Sequence, residues 1–263
     1  MKTVILIPAR FASTRYPGKP LVKLTLPDGT QKSLIQMSYE AAKSVRGADE
    51  VFVTTDDERI AEAARAFGAD VIMTSENCAN GTERCAEAMQ NAGLEADIIV
   101  NLQGDAPLTP PWFVEALIDE LERDNSVGMA TPVLRCDAQT YALFTEDRRN
   151  NRVGGTTAIF NKFKDALYFT KEVVPYVDPN KIPNPIPVFH HVGVYAYRPD
   201  ALADYGSWET GPLERLEGLE QLRFLENGHP IRCVEVDGRG RVFWELNNPQ
   251  DVARIESVLG AQL

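Results

Sequence analysis

Sulfur and imidazole are scarce in this chain, whose 263 residues hold four cysteines and three histidines. Cys78, Cys85, Cys136 and Cys233 form no Cys-x-x-Cys pair, and no histidine is spaced to complete a zinc site. A structural zinc centre is thereby excluded, and four free thiols in a reducing compartment are expected. Long apolar runs are also missing. None reaches the roughly 18–20 residues of a membrane helix, and the apolar start from Val4 to Pro8, behind Lys2, is too short for a signal peptide. The expectation is a cytoplasmic protein with no membrane partner. Positive charge is in deficit: 27 Lys and Arg against 38 Asp and Glu give a net charge of −11. That argues against nucleic acid as a partner and against an anionic membrane face. It describes only the average field, not the sign inside one cleft.

Hydrophobic residues at 44% and charged residues at 25% suit an ordinary soluble domain with a sizeable core. Short apolar runs alternate with helix-period segments. Strands are predicted over Val4–Pro8, Val51–Thr55, Ala69–Met73, Ile98–Leu102 and Gly128–Val133. Helices are predicted over Leu34–Val45, from a cap at Asp56 or Asp57 through Ala66, over Thr82–Asn91 and over Pro110–Arg123. This β-α-β order predicts an α/β fold with a mostly parallel sheet covered on both faces. Ligands of such sheets bind outside the carboxyl ends of the strands, which directs attention to loops 8–20, 54–57, 74–84 and 103–109. Further strands are predicted over Thr156–Phe160, Ala166–Phe169, Val192–Tyr197 and Ile231–Val236. Pro175–Pro187 reads as an irregular loop, and Leu213–Glu226 and Pro249–Leu259 read as helices. The expected organisation is a nucleotide-binding part, 1–135, and a smaller α+β part, 136–263, that completes the same sheet.

The first loop inverts the chain's charge. Lys2, Arg10, Arg15, Lys19 and Lys23 precede the first acid, Asp28. Small residues and spaced cations after a strand suit a polyphosphate, with Ser13 or Thr14 and backbone N–H groups donating. A solvated basic loop is the other reading. The glycine spacing of a Walker loop or a dinucleotide fingerprint is absent. Asp105, beside Gly104 after an apolar strand, is either a carboxylate for Mg²⁺ at phosphate oxygens or a turn cap. Asn80-Gly81-Thr82 reads as a turn with Thr82 capping a helix, Gly81 also permitting close backbone approach.

The run Ile7-Pro8-Ala9-Arg10 through Ser13, Arg15 and Lys19 to Pro20 resembles the N-terminal signature of sugar nucleotidyltransferases, specifically the cytidylyltransferases that activate 3-deoxy-manno-octulosonate (Kdo). Five further segments match that family in order: Val53–Ile60, Met73–Ser75 with Asn80–Arg84, Val100–Leu108, His191–Arg198 and Leu219–Gly228. The resemblance covers nearly the whole chain. It implies a three-layer, Rossmann-like nucleotide-diphospho-sugar-transferase fold with a sugar-binding and dimerisation part, and a homodimer. It implies transfer of CMP from CTP to the anomeric hydroxyl of a 2-keto sugar acid, with release of pyrophosphate, for lipopolysaccharide or capsule synthesis. Arg10, Lys19 and Asp105 are then the expected catalytic residues. The expected nucleotide site comprises Pro8, Ala9, Arg10, Ser13, Arg15, Lys19, Thr55, Thr74, Ser75, Gly81, Thr82, Arg84 and Gln103. The expected sugar-acid site comprises Gln103, Lys171, His191, Tyr195, Glu220 and Gln221. Unaided, Tyr195 reads as core, and Glu220 and Gln221 as a polar helix face. The implied cofactor is Mg²⁺ on Asp105 and Asn247.

Two departures from the family pattern stand out. Thr170-Lys171 replaces Ser-Arg, and lysine cannot form arginine's bidentate fork to a carboxylate. Asn247 replaces the first Asp of an Asp-Thr-Pro-Glu-Asp run, which lowers Mg²⁺ affinity unless Glu245, Asp237 or Asp251 compensates; Glu245 is the expected substitute. Leu26–Lys32 is expected to be a harmless inserted loop. An amino-Kdo or nine-carbon ulosonic acid as substrate, and a relative that binds without turnover, remain open. A glycosyltransferase would be expected to carry Asp-x-Asp, where Gln103-Gly104-Asp105 supplies one acid. Trp208 or Phe243 is expected at a dimer contact.

Overall fold

The computed structural model describes residues 1–12, 16–105, 107–240, 249 and 251–261, and of residues 254 and 261 the backbone alone. In chain order its strands are β1 (Thr3–Ala9), β2 (Lys23–Thr25), β3 (Gln31–Ser33), β4 (Glu50–Thr55), β5 (Asp70–Met73), β6 (Ile98–Leu102), β7 (Met129–Arg135), β8 (Thr156–Phe160), β9 (Ala166–Thr170), β10 (Phe189–His191), β11 (Val194–Tyr197) and β12 (Arg232–Glu235). Its helices are α1 (Leu34–Lys43), α2 (Glu58–Ala66), α3 (Gly81–Asn91), α4 (Pro111–Arg123), α5 (Ala138–Arg149), α6 (Pro199–Ser207), α7 (Pro212–Glu217), α8 (Leu222–Glu226) and α9 (Asp251–Ala261).

Side-chain alternation in β1 sets the layering. Ile5, Ile7 and Ala9 pack on one face with Ile35 of α1, Ile60 of α2 and Phe113 of α4. Val4 and Leu6 pack on the other with Cys85 and Met89 of α3 and Leu202 and Tyr205 of α6. A strand buried on both faces needs helices on both. β5, β4, β1 and β6 run parallel in that order. The sheet then continues into the second half of the chain: β11 lies antiparallel between β6 and β7, with Val194 opposite Leu102 and Tyr197 opposite Met129. β10, β8 and β9 extend it by antiparallel pairs, and β12 runs parallel to β7.

Several elements differ from the sequence expectation. The strand expected over Val192–Tyr197 is interrupted at Val192 and Gly193, where Pro132 of β7 lies opposite and has no N–H to donate. The helix expected over Leu213–Glu226 is two helices, because Gly218 adopts φ 63, ψ 39 and ends α7. Leu26–Lys32 is not a plain loop but the tip and return strand of the hairpin β2–β3. That hairpin seats the C-terminal helix: Leu24 and Ile255 are fully buried together, and the Glu256 carboxylate accepts the Thr25 N–H at 2.7 Å. The cap of α3 is Asn80 rather than Thr82. Its side chain accepts from Glu83 N at 2.8 Å while the Glu83 carboxylate accepts from Ala79 N at 2.7 Å. Asp57 caps α2.

Trp208 packs inside its own chain, edge-on to Phe224 at 5.4 Å and against His229 at 4.6 Å. Phe243 lies outside the described residues. The four cysteines are buried free thiols. Among the described residues no helix is long and apolar enough to cross a membrane.

Candidate active site

A cavity of about 640 Å³ opens at the carboxyl ends of β1 and β6. β11 runs antiparallel to β6, so its first residues lie beside the last of β6 and bring Gly193 and Tyr195 to the same rim. The remaining wall comes from Lys19 and Pro20, the start of α3, Thr210 and the α7 residues Glu214 and Arg215, and the turn between α7 and α8. The sheet order thus gathers groups scattered along the chain at the place where open α/β sheets hold ligands.

One side of the cavity is built from Pro8, Ala9, Arg10, Lys19, Gly81, Arg84, Gln103 and Asp105. The Gly18 N–H donates to the Phe11 carbonyl at 2.9 Å, and the Arg59 guanidinium covers the Phe11 ring at 3.3 Å. This delivers Lys19 to Asp105, with Nζ to Oδ2 at 2.5 Å. Arg10 is exposed, with Nη1 donating to the Ala79 carbonyl at 3.4 Å. A methyl group on Gly81 would lie 3.0 Å from Gln103 Nε2 and 3.3 Å from Pro8 Cγ, so a side chain here would push on Gln103 and on the Pro8 loop.

Arg84 is buried and clamps the loop after β5. Its Nη1 donates to Thr74 Oγ1 at 2.5 Å and to the Ser75 carbonyl at 3.3 Å, and lies 3.4 Å from Asp56 Oδ1. Thr74 and Ser75 therefore support the wall from behind rather than line it. Thr55 does likewise, its hydroxyl accepting the Asp57 N–H at 3.2 Å. Thr82 points into the core, with its hydroxyl 2.9 Å from that of Tyr197.

The opposite side holds Tyr195, Glu220 and Gln221. The Tyr195 hydroxyl donates to Gln221 Oε1 at 3.2 Å, and Gln221 Nε2 is buried without a partner among the described residues. Glu220 Oε2 accepts the Thr82 N–H at 3.1 Å, and Oε1 accepts from Gln103 Nε2 at 3.3 Å. Glu220 thus joins the two sides. His191 lies behind Tyr195, off the cavity wall, with Nε2 2.9 Å from Thr131 Oγ1. The Thr131 hydroxyl donates to the Val194 carbonyl at 2.9 Å, which leaves the His191 N–H as donor to Thr131. Burial and the adjacent His190 hold His191 neutral, its pKa pushed down to about 3. Lys171 is also absent from the wall. Ser13, Arg15, Glu245 and Asn247 lie outside the described residues, Asp251 begins α9, and Asp237 does not line the cavity.

The family model of cytidylyltransferases matches residues 4–232. The chain belongs to the cytidylyltransferase family. It is 42% identical over 262 residues to the 3-deoxy-manno-octulosonate cytidylyltransferase of Maricaulis maris strain MCS10, covering 100% of this chain and 98% of the relative. It is 37% identical to the mitochondrial 3-deoxy-manno-octulosonate cytidylyltransferase of Arabidopsis thaliana, over 98% of this chain and 83% of that protein. Its fold matches the structure of a CMP:2-keto-3-deoxy-manno-octonic acid synthetase complexed with CTP, with TM-score 0.85, 35% identity and 100% coverage of both chains.

Within this family member, sequence reasoning passed over Asn80, Gly193, Thr210, Glu214 and Arg215 on the cavity wall. Nothing local in the sequence marked these five, and the glycine after Glu217 was a signal only for the residues that follow it, Glu220 and Gln221. A helix that ends in a left-handed glycine turns the next residues off its own polar face and toward the cavity.

Glu220 also marks the site by its acidity. Desolvation, opposed by the Thr82 hydrogen bonds and by Arg223 and reinforced by Glu214, pushes its pKa from the usual 4.5 up to about 7. The folded state then keeps a proton that the unfolded chain releases between about pH 4.5 and 7. This group's contribution to stability therefore falls as pH rises through that window. His190 and His191, held down at about 4 and about 3, act in the opposite sense, since the unfolded chain takes up protons that the fold refuses. Glu220→Gln is therefore expected to gain stability relative to the unsubstituted protein as pH rises. Urea midpoints of the two proteins at pH 5 and pH 8 check this, and an equal difference at both pH values contradicts it.

Proposed function

We propose that this chain transfers CMP from CTP to the anomeric hydroxyl of 3-deoxy-manno-octulosonate and releases pyrophosphate. The observation that carries the reading is that one cavity sets an Arg10–Lys19–Asp105 side facing a Tyr195–Glu220–Gln221 side across Gln103. The curated relatives and the matched solved structure bear names of this same activity.

The reaction is an in-line attack by the anomeric oxygen on the α-phosphorus. Two anions must be held together while charge grows on the phosphorus oxygens and on the leaving pyrophosphate. Arg10 and Lys19, with Ser13 and Arg15 of the same loop, are assigned to the triphosphate. The backbone at Pro8, Ala9 and Gly81 is assigned to the cytosine and ribose. Tyr195, Glu220, Gln221 and Gln103 are assigned to the sugar acid. The unpartnered Gln221 Nε2 is a donor suited to an acceptor oxygen of that substrate.

Asp105 fits Mg²⁺ by donor chemistry: a hard carboxylate on the cavity wall, beside the cations assigned to phosphate. Mg²⁺ is commonly held by one or two carboxylates together with substrate phosphate oxygens and water. When bound, the ion supplies positive charge to those phosphate oxygens. Pyrophosphate release with CTP and Mg²⁺, measured over Kdo, an amino-Kdo and a nine-carbon ulosonic acid, tests the reading. Release with Kdo is expected. Retained CTP binding with no release from any acid leaves a binding protein instead.

A further inference from the structure

We infer that Arg215 recognises the carboxylate of the acceptor sugar and so selects an acid over a neutral sugar. The inference rests on the proposed transfer to a sugar acid.

Charge at the cavity leads to it. On the side assigned to the nucleotide, Lys19 is paired with Asp105 and Arg84 with Asp56. The opposite side carries two acids, Glu214 and Glu220. Glu214 is neutralised from behind by Arg223, with bonds of 2.7 and 2.8 Å. An anionic ligand beside Glu220 needs a cation of its own. Among the described residues, Arg215 is the cation on that part of the wall, and it has no carboxylate partner there. Its side chain is exposed, with Nε and Nη2 both donating to the Thr210 carbonyl. Nη1 makes no hydrogen bond to a described residue. The bonds to Thr210 hold the guanidinium in place and leave it capacity to donate to a ligand.

The backbone presenting Arg215 is also held. A six-residue helix is not stable alone. At one end of α7 the Glu226 carboxylate accepts Leu213 N at 2.8 Å and Glu214 N at 3.0 Å. At the other end the Glu217 carboxylate accepts Thr170 Oγ1 at 2.6 Å and Lys171 N at 3.0 Å. Lys171, the cation that sequence reasoning placed at the sugar acid, has its amide in that clamp and is not on the wall. Its Nζ lies 3.2 Å from where a Cβ on Gly218 would stand.

The test compares the unsubstituted protein with Arg215→Gln, Arg215→Lys and Lys171→Met. For each, KM is measured for Kdo, inhibition is measured with Kdo methyl ester, and CTP affinity is measured by calorimetry. A charge-assisted hydrogen-bonded contact corresponds to about 10- to 100-fold in affinity. Arg215→Gln is therefore expected to raise KM for Kdo about 10- to 100-fold, with CTP affinity within threefold. It should also erase the preference for the free acid over the ester, and Arg215→Lys should restore part of it. A KM that moves less than threefold, a parallel loss of CTP affinity, or an effect at Lys171 without one at Arg215 overturns the assignment. Absence of turnover with Kdo in the unsubstituted protein instead removes the reading on which it rests.

Discussion

Asp105→Ala is expected to lower pyrophosphate release about 100- to 1,000-fold, a loss of the size seen when a group that organises transition-state charge is removed. The carboxylate stands on the loop after β6, 2.5 Å from Lys19 and on the wall of the cavity assigned to CTP. Its removal takes away the acid assigned to the metal and leaves Lys19 without its partner. The fold should tolerate the change. The pair is partly exposed, with side-chain exposures of 14% and 30%, and such pairs contribute little to stability. A thermal unfolding midpoint close to that of the unsubstituted protein is expected. In EDTA, CTP should bind the variant at least as tightly as before, because one negative charge beside the triphosphate is gone. Activity within tenfold of normal, or a collapse of the unfolding midpoint, would reject the role.

Arg223→Met should have the largest effect on stability, about 3–5 kcal/mol, because it strands a buried carboxylate. The Arg223 side chain is 3% exposed and makes a bidentate pair with Glu214, itself 7% exposed. It also reaches Glu83 at 2.9 Å and lies over the Tyr205 ring at 4.3 Å. One guanidinium thus ties α3, α6, α7 and α8 together around the Gly218–Gln221 turn. The double variant Glu214→Gln/Arg223→Met should be less destabilised than the sum of the single variants, because it removes the stranded charge. Urea unfolding at pH 8 measures both, and a single-variant loss below about 1 kcal/mol would show that Glu214 is compensated elsewhere.

The two halves of the site were unequally legible in the sequence. Loop 8–20 announced itself by three of the five cations that precede the first acid, and Asp105 by standing just past an apolar strand. These are local signals, as are the caps and the alternation in β1. Glu220 and Gln221 were different. On a continuous helix they form an outward polar face, and only resemblance placed them at the sugar acid. The break at Gly218 turns them to the cavity. Thr55, Thr74, Ser75, Thr82 and His191 fell in the matching segments, yet their side chains brace the site from behind. A segment match does not say which face of an element a side chain takes.

By itself, the sequence determined the parallel α/β frame, the basic loop at the end of its first strand and the family, since periodicity, turn chemistry and motif order are readable over a few residues at a time. The tertiary structure decided who meets whom: Lys19 with Asp105 across 86 positions, and Thr82 with Glu220 across 138. It also decided that the hairpin β2–β3 seats the last helix, and that Arg215 rather than Lys171 reaches the cavity wall. The physical reason is the same in each case. Local preferences set the direction of a backbone segment, but strand order and the packing of helices on the sheet set what lies opposite it.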